Sequence, residues 1–511
     1  MLPHLRIARL VSLSLAFAAG HVSAQETYYW NPTGNTEGQG GSGLIDATTP
    51  LWNETTTPSD ALVAWNSGNH AVFAGSGGTI TSNGASLVTG DFIFRATPYV
   101  LEGDLSLTGR VIVENLGSLT ATDAVTTGGD LGLYNGTLNV NGGSLTAAAH
   151  AYIGIDNTSN GRLNITDGGS ASFTSISIGT FESSYGFITV DGAGSTLAAT
   201  GGIIVGQGGY GSLTIQDGAD VTAPSVTFGT GDGAAGHGLI TGEGSSLTVS
   251  GSMQVGFAGG SSGSLTVAEG GVFEATDGDL LLGNATLSIG TADGAAGTVQ
   301  VASIVGSTDS RVRFDHNETA YTFSAPLHGV QIEQVGSGTT ILGSASGYLS
   351  GTTIGNGTLR LGADQALGIG SDLTLAGGAL ELNGYAQTSD RLHVTGDSII
   401  DFSGGSSLAF GNSSDLIWDG SLTLLNFGAG DVFRFGTDAF GLTAEQLMMI
   451  SIDGFYAQID AGGYITANVS AIPEPSTYAV VFGVVALAGA VFHRRRRMGA
   501  AGQTRRETAA V

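Results

Sequence analysis

Two arginines, a histidine and two carboxylates lie within eight consecutive residues of this chain: Arg311, Arg313, Asp315, His316 and Glu318. Carboxylates and histidine can move protons during sugar chemistry, and arginine can stabilise developing negative charge. Because Arg311 and Arg313 alternate along the chain, a strand would place both on one face beside a turn that bears the acids. A structural group of ion pairs explains the same pattern, and we favour it over a catalytic site.

The other titratable residues do not form a metal-binding pattern. His70, His150, His237 and His393 are scattered without ligand spacing, and the chain has no cysteine for disulfides or thiolate sites. Turn dipeptides such as Asp167-Gly168 recur, but calcium-binding β-rolls repeat Gly-Gly-x-Gly-x-Asp with a much shorter period, which this chain does not. We therefore predict no specific metal site and no cofactor. Loose calcium binding at stacked corner aspartates stays open.

The elements that position these residues follow from a repeat between Leu131 and Gly290. Short strands begin at six glycines that recur with a nearly constant spacing: Gly136, Gly161, Gly186, Gly211, Gly238 and Gly263. An apolar residue followed by glycine recurs in phase with them: Gly154, Gly179, Gly206, Gly229, Gly256 and Gly283. A fixed period of this size is typical of stacked arrays, in which each unit buries its apolar residues against its neighbours.

The sequence pattern predicts three short strands in each unit. In the unit that starts at Gly161, Leu163 and Ile165 alternate with polar residues, and after a glycine turn the same alternation continues to Ile178. Three such strands with their turns make one circuit of a parallel β-helix, and parallel crossovers favour right-handed winding. The sequence thus predicts an all-β, right-handed parallel β-helix with about 25 residues per coil and about fifteen coils.

Charge and glycine content limit the classes of partner and of fold that suit this chain. Between Gln25 and Pro473 there are 41 Asp and Glu against 8 Arg, a formal balance of −33, and lysine is absent. Such a surface repels nucleic acid and anionic membranes, so we expect no nucleic-acid partner. The 86 glycines fit the tight corners of a solenoid, where positive φ is needed and side chains would crowd the next coil.

The N-terminus has the pattern of a secretory signal peptide. Arg6 and Arg9 precede an apolar run, and small residues lead to a cleavage site between Ala24 and Gln25. Three of the four tryptophans follow: Trp30, Trp52 and Trp65. An aromatic platform for stacking on sugars is one interpretation of these rings, and packing as an end cap is the one that we favour. This segment resembles the opening of bacterial autotransporter-like β-helical surface proteins.

Residues 336–362 contain a Thr-Leu strand, a Tyr-x-Gly-x-Thr segment and a Gly-Thr-Leu strand. This region resembles the passenger-associated repeat of autotransporters, a resemblance that implies β-helical architecture and not a particular chemistry. Farther along, Leu442 to Leu447 has the pattern of a short helical turn that Thr443 caps.

The C-terminus carries the most specific motif. Pro473-Glu474-Pro475 is followed by an apolar segment from Thr477 and Tyr478 to Phe492, and a positive stop follows it: Arg494, Arg495, Arg496 and Arg497. The tail resembles the PEP-CTERM sorting signal of Gram-negative bacteria. That resemblance implies an exosortase partner, a membrane-anchored precursor, and delivery to the cell surface or extracellular matrix, often alongside exopolysaccharide. Residues 498–511 make a longer basic tail than such signals usually have.

The predicted organisation is a signal peptide (1–24), an N-terminal cap with first coils (25–109), and a solenoid (110–414) with regular repeats at 131–290 and the passenger-associated repeat at 336–362. A C-terminal cap (415–470), a sorting and transmembrane-helix segment (471–497) and a cytoplasmic basic tail (498–511) follow.

We expect a non-catalytic, structural or adhesive surface protein. The alternative is a carbohydrate-binding or carbohydrate-active, pectate-lyase-like β-helix. A true autotransporter is disfavoured, because no alternating strands of barrel length follow the solenoid.

Overall fold

The computed structural model describes residues 25–471, apart from 35–38, 58–60, 96, 258–259, 276, 293 and 348–349. The predicted signal peptide, with Ala24, lies outside the described residues. So does the predicted sorting and anchor segment beyond 471, with all of its residues: Pro473, Glu474, Pro475, Thr477, Tyr478, Phe492, Arg494, Arg495, Arg496 and Arg497. In the part of the chain that is described, no helix combines the length and hydropathy needed to cross a bilayer.

The chain is an all-β β-solenoid of about 16 turns with almost no helix, and it divides into two compact units between Gly238 and Leu239. The strands of the first unit are β1 (Thr27–Trp30), β2 (Gly43–Ile45), β3 (Trp52–Asn53), β4 (His70–Phe73), β5 (Gly78–Ser82), β6 (Ala85–Leu87), β7 (Asp91–Arg95), β8 (Pro98–Glu102), β9 (Leu105–Leu107), β10 (Arg110–Glu114), β11 (Ser118–Ala121), β12 (Ala124–Thr127), β13 (Leu131–Leu133), β14 (Thr137–Asn141), β15 (Ser144–Ala147), β16 (His150–Ile153), β17 (Asn160–Thr166), β18 (Ser170–Phe173), β19 (Ser175–Ile178), β20 (Tyr185–Asp191), β21 (Thr196–Ala199), β22 (Gly202–Val205), β23 (Tyr210–Gln216), β24 (Asp220–Ala223) and β25 (Ser225–Phe228).

Strand β26 (Ala235–Thr241) contains the boundary between the units. The elements of the second unit are β27 (Ser246–Val249), β28 (Met253–Val255), β29 (Ser262–Ala268), β30 (Val272–Ala275), β31 (Leu280–Leu282), β32 (Ala285–Ile289), β33 (Thr298–Val301), β34 (Ile304–Val305), β35 (Arg311–Phe314), β36 (Tyr321–Phe323), β37 (Leu327–His328), β38 (Gln331–Gln334), β39 (Thr339–Leu342), β40 (Thr352–Ile354), β41 (Thr358–Leu361), β42 (Leu373–Ala376), β43 (Ala379–Glu381), β44 (Ala386–Thr388), β45 (Leu392–Gly396), β46 (Ser398–Asp401), β47 (Ser407–Phe410), β48 (Leu422–Leu425), β49 (Val432–Phe435), α1 (Ala444–Met449), β50 (Ile450–Ile452), β51 (Phe455–Ile459) and β52 (Ile465–Ala471).

In the first unit, the strands form three stacked sheets. Sheet 1 has the order β3-β1-β4-β7-β10-β13-β16-β19-β22-β25, sheet 2 the order β2-β5-β8-β11-β14-β17-β20-β23, and sheet 3 the order β6-β9-β12-β15-β18-β21-β24. Apart from the antiparallel pair β1 and β3, neighbouring strands in these sheets are parallel, because each coil adds one strand to each sheet. The three strands that the sequence predicts for each coil are therefore confirmed, and the hand of winding stays a prediction.

The coil that follows Gly161 shows why this sequence folds in this way. Leu163 and Ile165 are fully buried, and Leu163 pairs in register with Leu138 before it and Ile188 after it. Stacking of like apolar residues continues to Leu213 in the next coil. Full burial of one such side chain contributes about 1.5–3 kcal/mol, so the columns inside the solenoid provide most of its stability.

The two recurring series of glycines in the sequence, represented by Gly161 and Gly154, have the same structural cause. Gly154 begins a corner between sheets 1 and 2, and Gly161 ends it. A Cβ atom on Gly161 would collide with the Leu133 carbonyl oxygen of the preceding coil, and one on Gly154 would collide with the Tyr185 carbonyl oxygen of the next. Glycine is needed at both positions because backbone contacts backbone where the corners stack.

One glycine was misassigned in the sequence. We predicted that Gly238 begins the fifth strand of the glycine series, but Gly236 occupies that corner, where a Cβ would collide with the Val205 carbonyl oxygen. Gly238 lies just beyond it on the same face of β26. The even spacing of the series therefore continues from Gly211 to Gly236, and the longer interval follows Gly236.

The turns after the sheet 2 strands also need glycine. Asp167 and Gly168 both have positive φ, 56° and 76°, as do Asp217 and Gly218, at 55° and 89°. Two successive residues in this region make a tight reversal that aspartate tolerates better than most side chains. We predicted positive φ at the glycines, and the acidic residue before each of these two glycines adopts it as well.

Coil length varies more than we predicted. Each coil between Leu138 and Leu213 has the same number of residues. The coil that joins Leu119 to its partner Leu138 has fewer. In the second unit, the coil between Leu359 and its partner Leu380 is also shorter than the predicted length. In the first unit the shorter coil has a shorter corner loop, 134–136 in place of 154–159, whereas the coil in the second unit has a long loop, 362–372, between β41 and β42.

The predicted packing role of the N-terminal tryptophans is confirmed. Trp30 and Trp52 have no exposed surface and Trp65 is 6% exposed. The Trp30 and Trp52 ring centroids are 5.0 Å apart, and Phe73 lies 5.5 Å from Trp30. These rings continue the apolar interior at the start of the solenoid, so they offer no face on which a sugar could stack.

The second unit ends with a change of strand direction. The predicted helical turn is confirmed as α1, whose N-cap Thr443 exchanges hydrogen bonds with Gln446 in a capping box. After α1, β50 and β51 pair antiparallel, as do β51 and β52.

Candidate functional site

The two arginines of the cluster predicted from the sequence lie on β35, and Asp315, His316 and Glu318 follow this strand. Arg311 and Arg313 are both exposed on one face of this strand, as predicted. Arg311 Nε lies 3.2 Å from a Glu333 carboxylate oxygen, and an Arg313 Nη lies 3.0 Å from an Asp315 carboxylate oxygen. Both guanidinium groups are therefore held by carboxylates, which is the ion-pair arrangement favoured above.

His316, the proton carrier of that cluster, lies apart from the arginines. Its side chain is fully buried, and Nε2 is 2.9 Å from Thr340 Oγ1, which in turn donates to Gln334 Oε1 at 2.7 Å. The Glu318 amide donates to His316 Nδ1 at 3.2 Å. Burial lowers the pKa of His316, so its neutral form is favoured. A histidine enclosed in this way cannot reach a substrate on the surface.

The eight arginines of the described residues all have partners. Six contact carboxylates: Arg95 with Glu114, Arg110 with Asp91, Arg311 with Glu333, Arg313 with Asp315, Arg360 with Glu381, and Arg391 with Asp372. Two lie over aromatic rings: Arg162 over Phe187 and Arg434 over Tyr464. In most of these contacts the two residues occupy successive coils, so arginine neutralises stacked acids.

The other candidate histidines are separated in the structure. His70 lies 3.3 Å from Asp91, His393 contacts the Ile417 carbonyl oxygen, and His150 is exposed on β16. His237 is half-buried beside Tyr210, and burial lowers its pKa. Among the described residues, no group of three or more histidine, aspartate or glutamate side chains could hold a metal ion.

The outer face of sheet 1 in the first unit carries a groove that we did not predict from the sequence. In-register pairing aligns outward-facing residues of five neighbouring strands into one column: Ile112, Gly132, Tyr152, Ser177 and Ile204. Strands lie about 4.8 Å apart, so this column is roughly 19 Å long. Two adjoining cavities of 260 and 470 Å³ lie over the column and share Tyr152 and Thr180. We call them together the outer groove.

The smaller cavity of the outer groove has aromatic walls. Tyr134, Tyr152 and Phe181 line it, and Phe181 is 52% exposed. Gly132 forms the floor, because a Cβ there would lie 3.1 Å from the Tyr134 ring and 3.4 Å from Ile155. Burial raises the pKa of both tyrosines, so their phenols stay protonated at neutral pH. The cavity thus combines flat apolar faces with neutral hydroxyl groups.

The larger cavity has more polar groups in its lining than the smaller one, and two of its lining residues carry unpaired buried atoms. Ser177 and Thr227 add hydroxyl groups to its lining. Thr180 Oγ1 and Gln207 Oε1 are buried and have no hydrogen-bond partner among the described residues. Buried polar atoms in folded proteins are nearly always paired. Both oxygens are buried, so a ligand in the cavity could pair with them only after the Thr180 and Gln207 side chains turn towards it.

The charged residues Arg110 and Asp130 beside the outer groove both have partners within the protein. Arg110, at one end, donates two hydrogen bonds to Asp91, at 2.7 and 2.8 Å. Asp130 Oδ1 accepts the His150 backbone amide at 2.9 Å. The His150 ring lies nearly parallel to the Tyr152 ring, at 5.7 Å and 15°. Among the described residues, Arg110 is the one arginine that lines the groove.

A third cavity, of 720 Å³, lies in the second unit. Phe257, Leu281 and Arg311 are among its lining residues, which brings one arginine of the predicted cluster to a cavity. Because Glu333 engages that arginine, the cavity gains no unpaired positive charge. His316, Asp315 and Glu318 do not line it.

The outer groove had only a weak signal in the sequence. Tyr152 occupies an outward position of a predicted strand, and Phe181 follows the Ile178-Gly179 corner. Large aromatic residues at such solvent-facing positions are a signal of a binding surface. Their convergence with Gly132 depends on the register between coils, which the sequence alone does not give.

Comparison with known proteins found a similarity to an autotransporter adhesin. The chain is 28% identical over 168 residues to the adhesin BmaC autotransporter of Brucella suis biovar 1 (strain 1330). That match covers 29% of this chain and 5% of the adhesin, so the chain corresponds to a small part of its relative. No protein-family model and no solved structure match the chain. The similarity and the β-solenoid together fit an autotransporter-passenger-like β-helix.

Proposed function

We propose that this chain is an exported, non-catalytic β-solenoid that acts at the surface or in the extracellular matrix of a Gram-negative bacterium, in an adhesive or structural role. The observation that carries the proposal is the stacked parallel solenoid together with its similarity to part of an autotransporter adhesin. A solenoid presents long, regular faces, and such surfaces suit contact with extended partners. Fold alone does not establish function, so the role needs a direct test.

Export rests on the two ends of the sequence. The signal-peptide pattern up to Ala24 supports secretion across the inner membrane, with Gln25 as the first mature residue. The Pro473-Glu474-Pro475 motif, the apolar segment that ends at Phe492 and the four following arginines support sorting by an exosortase. In this proposal the apolar segment holds the precursor in the membrane as a helix until processing removes it.

The non-catalytic part of the proposal rests on the engaged side chains. Arg311 and Arg313 are occupied by carboxylates, and the imidazole of His316 is enclosed by hydrogen bonds. A polysaccharide lyase or hydrolase needs free carboxylates and a cation that converge on a substrate groove. We therefore consider a carbohydrate-active function less well supported than an adhesive one. Assays for reducing-sugar release across a polysaccharide panel should be negative, and release by the purified protein would reverse this order.

Fractionation and intact mass of the native protein test the proposal. We expect a mature protein that begins at Gln25, has lost the segment after about Pro475, and is recovered from the cell surface or the medium. Deletion of the gene should reduce attachment of cells to surfaces or to one another. A full-length chain recovered from the cytoplasm, with unchanged attachment after deletion, would refute the proposal.

A further inference from the structure

The outer groove of the first unit has features that a purely structural spacer does not need. Within the column, Gly132 and Ser177 are small, whereas Tyr152 between them is large, so the outer face is indented and not flat. The aromatic rings stand beside the indentation, and two residues of its lining, Thr180 and Gln207, carry unpaired buried oxygens.

From these contacts we propose that the outer groove binds a neutral polysaccharide chain. This inference deepens the proposed function and rests on it, because it names the ligand class that a surface adhesin of this kind would contact. Sugar rings have apolar faces that pack on aromatic rings, and their hydroxyl groups both donate and accept hydrogen bonds.

The polar atoms of the groove match sugar hydroxyl groups in particular. Gln207 Oε1 needs a donor, and Thr180 Oγ1 can take either role. Once the two side chains turn towards the groove, a hydroxyl-rich ligand can pair with both atoms, whereas an aliphatic ligand would leave them unpaired. The Tyr134 and Tyr152 phenols are neutral, so they also interact with hydroxyl groups without any need for charge.

Length and charge define the ligand further. The roughly 19 Å column is too long for a single sugar and extends across five coils, which suits a chain of sugar units. The chain carries 41 acidic residues against 8 arginines between Gln25 and Pro473, and Arg110 beside the groove is already paired with Asp91. Acidic polysaccharides would be repelled. A neutral glycan is the class that fits.

Binding should be measured on the purified full-length protein, by affinity electrophoresis and calorimetry. The probes are a soluble β-glucan, an α-glucan, a mannan and a galactan, with polygalacturonate as the acidic comparison. We expect at least one neutral polymer to bind and polygalacturonate not to bind.

Three variants locate the binding. Tyr152→Ala should weaken binding about tenfold or more, as is usual for an aromatic anchor in a binding surface. Thr180→Val should also weaken binding, yet it should leave the urea midpoint unchanged or higher, because it removes an unpaired buried hydroxyl. The matched control is Tyr185→Ala, which deletes another exposed tyrosine ring of the same unit on β20 of sheet 2 and should bind as the wild type does.

Other outcomes would overturn the inference. Failure of all neutral polymers to bind, or wild-type affinity in both Tyr152→Ala and Thr180→Val, would exclude a glycan site in the groove. A concentration-dependent dimer that Tyr152→Ala abolishes in sedimentation experiments would instead assign the groove to a second copy of the chain. If surface display is found but no glycan binds, only this inference fails; if glycan binds but the protein stays in the cytoplasm, the proposed function fails.

Discussion

His316 and Thr340 belong to successive coils of the second unit, and a buried hydrogen bond of 2.9 Å joins His316 Nε2 to Thr340 Oγ1. Because His316 Nδ1 accepts the Glu318 amide and Thr340 donates to Gln334 Oε1, Nε2 must carry the proton and donate. The imidazole is thus neutral, with one defined tautomer. This network links polar residues of three strand ends inside an otherwise apolar interior.

Loss of the acceptor in this network should destabilise the second unit. Thr340→Val keeps the shape of the side chain but leaves the His316 Nε2 proton and the Gln334 amide oxygen without a partner. An unsatisfied buried group costs about 1–3 kcal/mol, so we expect a loss in that range in urea unfolding. Thr339→Val changes the neighbouring half-exposed threonine of β39 and is the matched control, with an expected change within about 0.5 kcal/mol.

The same network predicts a pH dependence of stability. Burial lowers the pKa of His316 in the folded state, so below about pH 6.5 the unfolded chain binds a proton more readily than the folded one. The free energy of unfolding should therefore decrease as the pH falls from about 6.5 towards the folded pKa. Nearby Glu318 and Asp315 oppose the effect without reversing it.

Urea unfolding at about pH 7.5 and about pH 5.5 measures this dependence. His316→Gln should reduce the difference between the two pH values, whereas His328→Gln, at an exposed histidine, should keep it. His237 is also half-buried with a lowered pKa, so the difference between variants, and not the absolute slope, is the relevant quantity. An unchanged slope in His316→Gln would contradict the assignment.

Substitution of the corner glycines by alanine should destabilise the protein by different amounts, depending on what the added Cβ atom contacts. At Gly161 an added Cβ collides with backbone of the preceding coil, whereas at Gly168 it meets open space and the cost comes from the φ of +76° alone. We expect Gly168→Ala to cost about 1–2 kcal/mol and Gly161→Ala to cost more. Urea unfolding of the two variants checks the order. Equal losses would mean that the corners are not stacked as described.

Inward and outward positions of one strand should respond differently to truncation. Ile188 is buried in β20 and pairs in register with Leu163 and Leu213, whereas Thr189 beside it points outward. Ile188→Ala should cost about 2–5 kcal/mol, because a cavity opens between coils. Thr189→Ala is the control and should change stability by about 0.5 kcal/mol or less. Chemical unfolding followed by circular dichroism provides both values.

The fluorescence emission of the tryptophans should not change when polysaccharide is added. Trp30, Trp52, Trp65 and Trp418 are each 6% exposed or less, so the folded protein should have blue-shifted emission that shifts to the red on unfolding. A polymer that binds at the outer groove should leave this emission unchanged. Quenching or a spectral shift on addition of a neutral glycan would place a sugar contact at the N-terminal aromatic residues and contradict their packing role.

The coils could be predicted because each of them repeats the same local rule. Alternation of apolar residues fixes which side chains point inward, and glycine marks each corner, so Leu163, Ile165 and Ile178 were placed correctly. The local rule also has limits. Gly236 and Gly238 lie on the same face of one strand, and only contact with the preceding coil decides which of them forms the corner.

The outer groove depends on information that is not local. The coil from Gly132 to its partner Tyr152 is shorter than the coil from Tyr152 to its partner Ser177, because the corner loops differ in length. A constant period along the sequence therefore misaligns these three residues. Arg311 and Arg313, by contrast, lie on a single strand, and their shared face could be predicted from alternation alone.

Surface display is the central claim, and labelling of intact cells tests it most directly. The chain has no cysteine, so a single substitution provides a unique label site. Thr222 is exposed on β24, whereas Leu213 is buried in β23. A membrane-impermeant maleimide should label Thr222→Cys on intact cells, and Leu213→Cys only after denaturation. Labelling of Thr222→Cys that requires disruption of the cell envelope would contradict the claim.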